Sequence, residues 1–126
     1  MIYHKFSIPI YGWKVLFIRS ESKDDADECK RISDKFGLEK DLLKDELSSI
    51  SNGSIDGGLC AENVENKKTL ILINPPINTI GLIKTIGHEG RHLVDGILRH
   101  LCIKDDEAAA YLTGYVNQQL YKDFKL

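Results

Sequence analysis

The chain has 126 residues, a length for one domain with a core of its own. Seventeen Lys and Arg against nineteen Asp and Glu leave a net charge of −2, and no basic run marks a nucleic-acid surface. No apolar stretch approaches the roughly 18–20 residues of a membrane span, and Met1 to Ile10 lacks a leader-peptide pattern, so the expected setting is cytoplasmic, with neither nucleic acid nor membrane as partner. Cys29, Cys60 and Cys102 are odd in number and far apart, as for free buried or half-buried thiols.

From the N-terminus, Phe6 to Arg19 is apolar, aromatic and β-branched, with a break at Pro9-Ile10-Tyr11-Gly12. This predicts two strands or one bent strand, with Trp13 in the core. Ser22 and Asp24 offer N-caps for a helix that Gly37 ends after Phe36, burying one stripe of Ala26, Cys29, Ile32 and Phe36. Leu38 to Ile50 reads as a second short helix, and Ser51 to Ser54 and Asp56-Gly57-Gly58 as loop. Gly58 to Val64 reads as a short strand and Asn66-Lys67-Lys68 as a turn. Thr69 to Asn74 is an unbroken apolar run, the pattern of a strand buried on both faces, and Pro75-Pro76 stops it.

A long helix follows, capped by Asn78 or Thr79 and reaching about Cys102, with Ile83, Ile86, Leu93, Val94, Ile97 and Leu101 on one stripe. A break at Ile103 to Asp105 precedes a last helix, capped by Asp105 or Asp106, that runs to about Tyr121. Its stripe is Ala109, Leu112, Thr113, Val116 and Leu120. The whole reads as one α+β domain over residues 1–126.

The long helix carries Gly87-His88-Glu89-Gly90-Arg91-His92, an H-E-x-x-H pattern. Histidines four apart lie one above the other on one helix face, where both imidazoles reach a single Zn²⁺ at about 2.0 Å. Glu89 sits one step round the helix, able to take a proton from a water polarised by the metal. His88 and His92 lie off the apolar stripe, so they do not fill the core. Tetrahedral zinc asks for a third protein ligand. Glu107, at the start of the last helix, is the favoured candidate if that helix folds back beside the first. Asp106 is the rival, facing another way and better suited to capping, and a histidine or no third protein ligand are the remaining alternatives. Gly114, on the Glu107 and Tyr111 face, would permit close helix approach. Gly90 and Gly96 each cost roughly 1 kcal/mol of helix propensity, a hint of close packing or a tight site.

Among neighbouring residues, Asp95 can accept from a ligand imidazole or form an ordinary ion pair. Arg91 and Arg99 can meet a substrate carboxylate or simply be solvated. Tyr111 and Tyr115 can donate to a developing oxyanion or act as boundary aromatics. His4 and His100 have no partner spacing. A peptide substrate is expected to add a strand to a sheet edge. Gly58 to Asn63, which is short and polar, fits that edge, and Thr69 to Asn74 fits its inner neighbour.

In His88-Glu89-x-x-His92 plus a Glu on the following helix the chain resembles the gluzincin class of zinc metallopeptidases. Over Asp106-Glu107-Ala108-Ala109-Ala110-Tyr111-Leu112-Thr113-Gly114-Tyr115 it is similar to small phage- and prophage-encoded metallopeptidases, which also share an Ile-Pro-Ile-Tyr-like first strand. The resemblance implies a small zincin-like domain: a short, mostly antiparallel sheet, a long zinc-site helix and a C-terminal helix packed beside it. It also implies His88, His92 and Glu107 as zinc ligands, Glu89 as base, and a peptide or protein substrate. The spacing from His92 to Glu107 is shorter than in thermolysin-like enzymes, and their second lobe is missing. A silent zinc-bearing binding or regulatory protein is therefore the alternative.

Overall fold

The computed structural model describes residues 1–38, 42–53, 57–74 and 78–123. Glu39, Asp56 and Pro75-Pro76, which fall in the predicted second helix, loop and strand stop, lie outside the described residues.

Strands β1 (Ile2–Ile8) and β2 (Trp13–Arg19) form an antiparallel hairpin. Pro9 opens a single 3-10 turn between them, and Gly12 closes it in the left-handed region at φ 63°. Ser22 accepts from the Asp24 N–H and Asp25 returns the favour in a capping box, leading into α1 (Ala26–Phe36). Gly37, at φ 88°, ends α1 with its N–H bonded back to the Ser33 and Asp34 carbonyls. Helix α2 (Lys44–Ser51) is shorter than the expected Leu38–Ile50 span.

Strands β3 (Gly58–Asn63) and β4 (Lys68–Ile73) form a second antiparallel hairpin, turned at Val64–Lys67. Asn78 caps α3 (Thr79–His100) by accepting from the Gly81 N–H, and Asp105 caps α4 (Asp106–Leu120) by accepting from the Glu107 N–H. No helix among the described residues is long and apolar enough to cross a membrane.

The sheet order is β1-β2-β4-β3. Both hairpins are antiparallel, but β2 and β4 pair in parallel, Lys14 against Lys68 through Arg19 against Ile73. The sheet is thus mixed, and the α+β class holds. The parallel pair arises because the chain crosses one face through α1 and α2 before β3 and β4 form. With β4 taking the inner place beside β2, β3 becomes an edge strand, as its composition predicts.

Side chains alternate across the sheet and fill two cores. On one face Trp13, Val15, Phe17, Ile71 and Ile73 pack against Ile86, Leu93 and Ile97 of α3 and Leu112, Val116 and Leu120 of α4. On the other, Leu16, Ile18, Leu70 and Leu72 meet Cys29, Ile32 and Phe36 of α1 and Ile50 of α2. Two members of the expected α3 stripe sit at its margin, Ile83 exposed and Leu101 half-buried. Cys29 is buried and Cys60 half-buried, but Cys102 is exposed.

Helices α3 and α4 approach closely at Gly90, where a methyl group would lie 2.9 Å from Leu120 Cδ1 and 3.9 Å from Val116 Cγ1. Gly114, expected to serve that contact, has open space around it. The approach therefore uses the glycine inside the histidine motif. This choice decides which way the histidines face.

His4 ties β1 to the end of α4. Its Nε2 lies 3.0 Å from the Gln119 carbonyl oxygen, and its Nδ1 is 3.2 Å from the Asp123 carboxylate without the alignment of a hydrogen bond. Burial, then the nearby Lys122 charge, push its pKa below the ordinary 6.5, against the pull of Gln119 and Asp123. The fold therefore prefers the neutral ring. As pH falls past about 6.5 the unfolded chain takes up this proton first, so His4's contribution is full above that pH and declines as pH falls towards the depressed value. Thermal melts at about pH 7.5 and 5.5 should show a smaller acid loss for His4→Phe than for the wild type. Equal losses would remove His4 from the account.

Candidate metal and catalytic site

The helix repeat stacks His88 and His92 as expected. Their Nε2 atoms are 3.1 Å apart, with ring centroids 4.7 Å apart and planes at 82°. Two nitrogens each about 2.05 Å from a tetrahedral zinc would be separated by about 3.3 Å, so the pair fits two corners of such an ion with little adjustment. The His88 side chain is 65% exposed, and both rings open to solvent rather than to the core.

Glu89 is buried beside the exposed pair. It is 5% exposed and lies between α3 and the edge strand β3, with its Oε1 3.9 Å from His88 Nε2. Burial raises its pKa above the usual carboxylate value, and the His88 and His92 charges draw it partly back. Gly58 makes room for it: a methyl group there would stand 3.0 Å from Glu89 Cγ, Ile73 Cδ1 and the Leu72 carbonyl oxygen.

A cleft of about 520 Å³ runs along this junction, lined by Gly58, Leu59, Cys60 and Glu62 of β3 and by Glu89, His92 and Arg99 of α3. A second hollow of about 260 Å³ continues it past Glu89 to His88, Thr85, Lys84 and Gly57. Strand β3 thus lines the same hollows as the two histidines, and the expected edge position of Gly58 to Asn63 holds: β3 pairs only with β4 among the described residues. Burial, then the Glu62 and Glu89 charges, push the Cys60 thiol up to about 12, so it stays protonated.

Glu107 is not brought to the pair. At 100° per residue, His88 and His92 each lie two positions, about 200°, round the helix from Gly90, where α4 packs. Helix α4 is therefore behind the histidines. It also runs antiparallel to α3, which carries Glu107 roughly 13 Å past His92 along the axis at 1.5 Å per residue. Glu107 is exposed, and so is Asp106. Among the described residues no group of three His, Cys, Asp or Glu side chains is arranged to hold a metal.

The tyrosines are placed away from the pair as well. Tyr115 donates its hydroxyl to the Ser7 carbonyl at 2.7 Å, on β1 at the opposite edge of the sheet, and Tyr111 is 76% exposed on α4. Neither is gathered into a site for an oxyanion. Asp95 pairs with Arg91 at 3.0 Å rather than with an imidazole.

The sequence set Cys60 and Glu62 on the strand expected to border the cleft but gave their side chains no part in it. For Glu62 the signal was Gly96, four residues after His92, which hints at close packing. The Glu62 carboxylate occupies the space that a side chain at Gly96 would take. No family model, no curated protein and no solved structure matches the chain.

Proposed function

We propose that the protein is a zinc-dependent, peptidase-like hydrolase of zincin-like design, acting on a peptide bound in extended form. The observation that carries this is a single juxtaposition: two imidazole nitrogens 3.1 Å apart, a buried carboxylate one residue on, and beside them a strand at the edge of the sheet among the described residues. His88 and His92 would hold the zinc. Bound there, the ion supplies Lewis acidity, polarising the scissile carbonyl and making a water acidic enough to react near neutral pH.

The rest falls to the chain. The β3 edge offers main-chain groups to an extended peptide and lays its carbonyl across the face of α3. Glu89 accepts the proton of the attacking water and returns it to the departing amine. A carboxyl whose proton affinity is raised by burial suits both halves of that transfer. The walls of α3 and β3 exclude bulk water from one side of the carboxylate, which strengthens its interactions.

The test is metal content. Purified protein is expected to hold about one zinc per chain, and His88→Ala near none, since one helical imidazole cannot chelate alone. Unchanged stoichiometry in His88→Ala would sink the assignment. Because the pair lies on one helix, zinc would raise the melting temperature only through its binding free energy, without linking α3 to α4.

One observation favours a second reading, a zinc-bearing binding protein without turnover. Glu107 stands behind the pair, and the described residues supply two ligands where catalytic zinc commonly has three. Peptide binding without cleavage would select that reading.

A further inference from the structure

We propose that Arg99 determines specificity in this cleft, favouring ligands that carry a carboxylate within about three residues of the reacting carbonyl. This rests on the peptide-binding reading above and assigns its substrate class.

Arg91 and Arg99 look alike in the sequence, but the structure separates them. Arg91 is held by Asp95 at 3.0 Å and does not line the cleft. Arg99 lines it together with His92 and Glu89, and no ion pair engages it among the described residues. It follows His92 by seven residues, two helical turns, and so shares the same face. That spacing is about 10 Å along α3. An extended peptide covers the distance in about three residues, and in fewer once the reach of the arginine side chain is included. The planar guanidinium with its fork of donors matches a carboxylate better than any other group of a peptide.

Glu62 sharpens the selection. It stands on the β3 wall, with its carboxylate set against Gly96, between the levels of His92 and Arg99. There it repels an acidic group placed too near the histidines, while Arg99 attracts one placed further along. The two residues should therefore act on acidic ligands with opposite sign. The carboxylate has two sources in a peptide, an Asp or Glu side chain and a free C-terminus, and the chemistry at Arg99 is common to both.

The experiment uses a mixed-sequence peptide library, captured on zinc-loaded, immobilised Glu89→Gln protein and read by mass spectrometry. It is run with free and with amidated C-termini. The same capture is repeated with Arg99→Gln, Arg99→Lys and Glu62→Gln added to that background. Acidic peptides should be enriched about fivefold over neutral ones, the size expected of one exposed charge pair. Enrichment should vanish in Arg99→Gln, return in part in Arg99→Lys, and grow in Glu62→Gln. If amidation abolishes it the free C-terminus is the group recognised; if not, the side chain is. An Arg99→Gln profile equal to its parent's overturns the proposal, as does failure to enrich any peptide. Acidic enrichment on the Glu89→Gln protein with no cleavage by wild type would instead leave Arg99 standing and remove the hydrolase.

Discussion

Glu89→Gln is expected to keep the fold and the zinc while losing hydrolysis by about 10²–10⁴, the usual contribution of a positioned acid–base group. The amide is nearly isosteric, so the Gly58 recess that accepts the Glu89 stem accepts glutamine too. It cannot take a proton from water. The His88–His92 separation does not depend on it, so zinc content should match wild type. The cost in stability should be nil or negative, because the carboxylate is buried, its pKa is raised by that burial, and the histidine charges offset this only in part. Peptide cleavage by metal-loaded wild type and variant measures this directly, with zinc analysis and a thermal melt on the same samples. Wild-type turnover in Glu89→Gln would remove it as the base. No turnover in wild type, with equal peptide binding by both proteins, would choose the binding reading.

Most of the local structure was legible because local chemistry decides it. Pro9 and Gly12 break the first hairpin, Ser22 and Asn78 cap, and Gly37 terminates, each through a backbone requirement one residue can meet. The strand roles of Gly58–Asn63 and Lys68–Ile73 were legible from burial pattern, polar and short against uniformly apolar. The histidine face was legible from the helix repeat alone. The placement of α4 was not. Reading Glu107 as a ligand assumed that α4 returns along the histidine face with Gly114 at the crossing. The crossing is at Gly90, about 200° away, and Glu107 and Tyr111 go with it to the far side. Gly90 carried that information, but a glycine between two histidines reads equally as room for a site. Tyr115 shows the same limit, since its partner is a backbone carbonyl 108 residues away that no periodicity reveals. The parallel β2–β4 pairing is likewise a long-range choice, made by the crossover through α1 and α2.

Trp13→Ala should lower stability by about 3–5 kcal/mol, the upper range for truncating a core side chain. Trp13 is fully buried at the start of β2, and its Nε1 donates to Thr69 Oγ1 of β4 at 2.9 Å. One side chain thus fills the space beneath α3 and locks the parallel pair whose inner strand carries β3. Its ring also meets His100 edge-on at 5.7 Å, at the C-terminal end of the site helix. Truncation leaves a cavity and strands the buried Thr69 hydroxyl without its donor. Against a total of about 5–15 kcal/mol for a domain, this should lower the melting temperature by roughly 10–20 °C. Trp13→Phe separates the two terms: it keeps most of the volume and removes only the hydrogen bond, so it should cost clearly less than alanine. If the alanine variant melts within a few degrees of wild type, Trp13 does not join the sheet to α3 as described. If it melts low but binds zinc at 25 °C as wild type does, the histidine pair is set by the helix repeat alone, as the i, i+4 geometry implies.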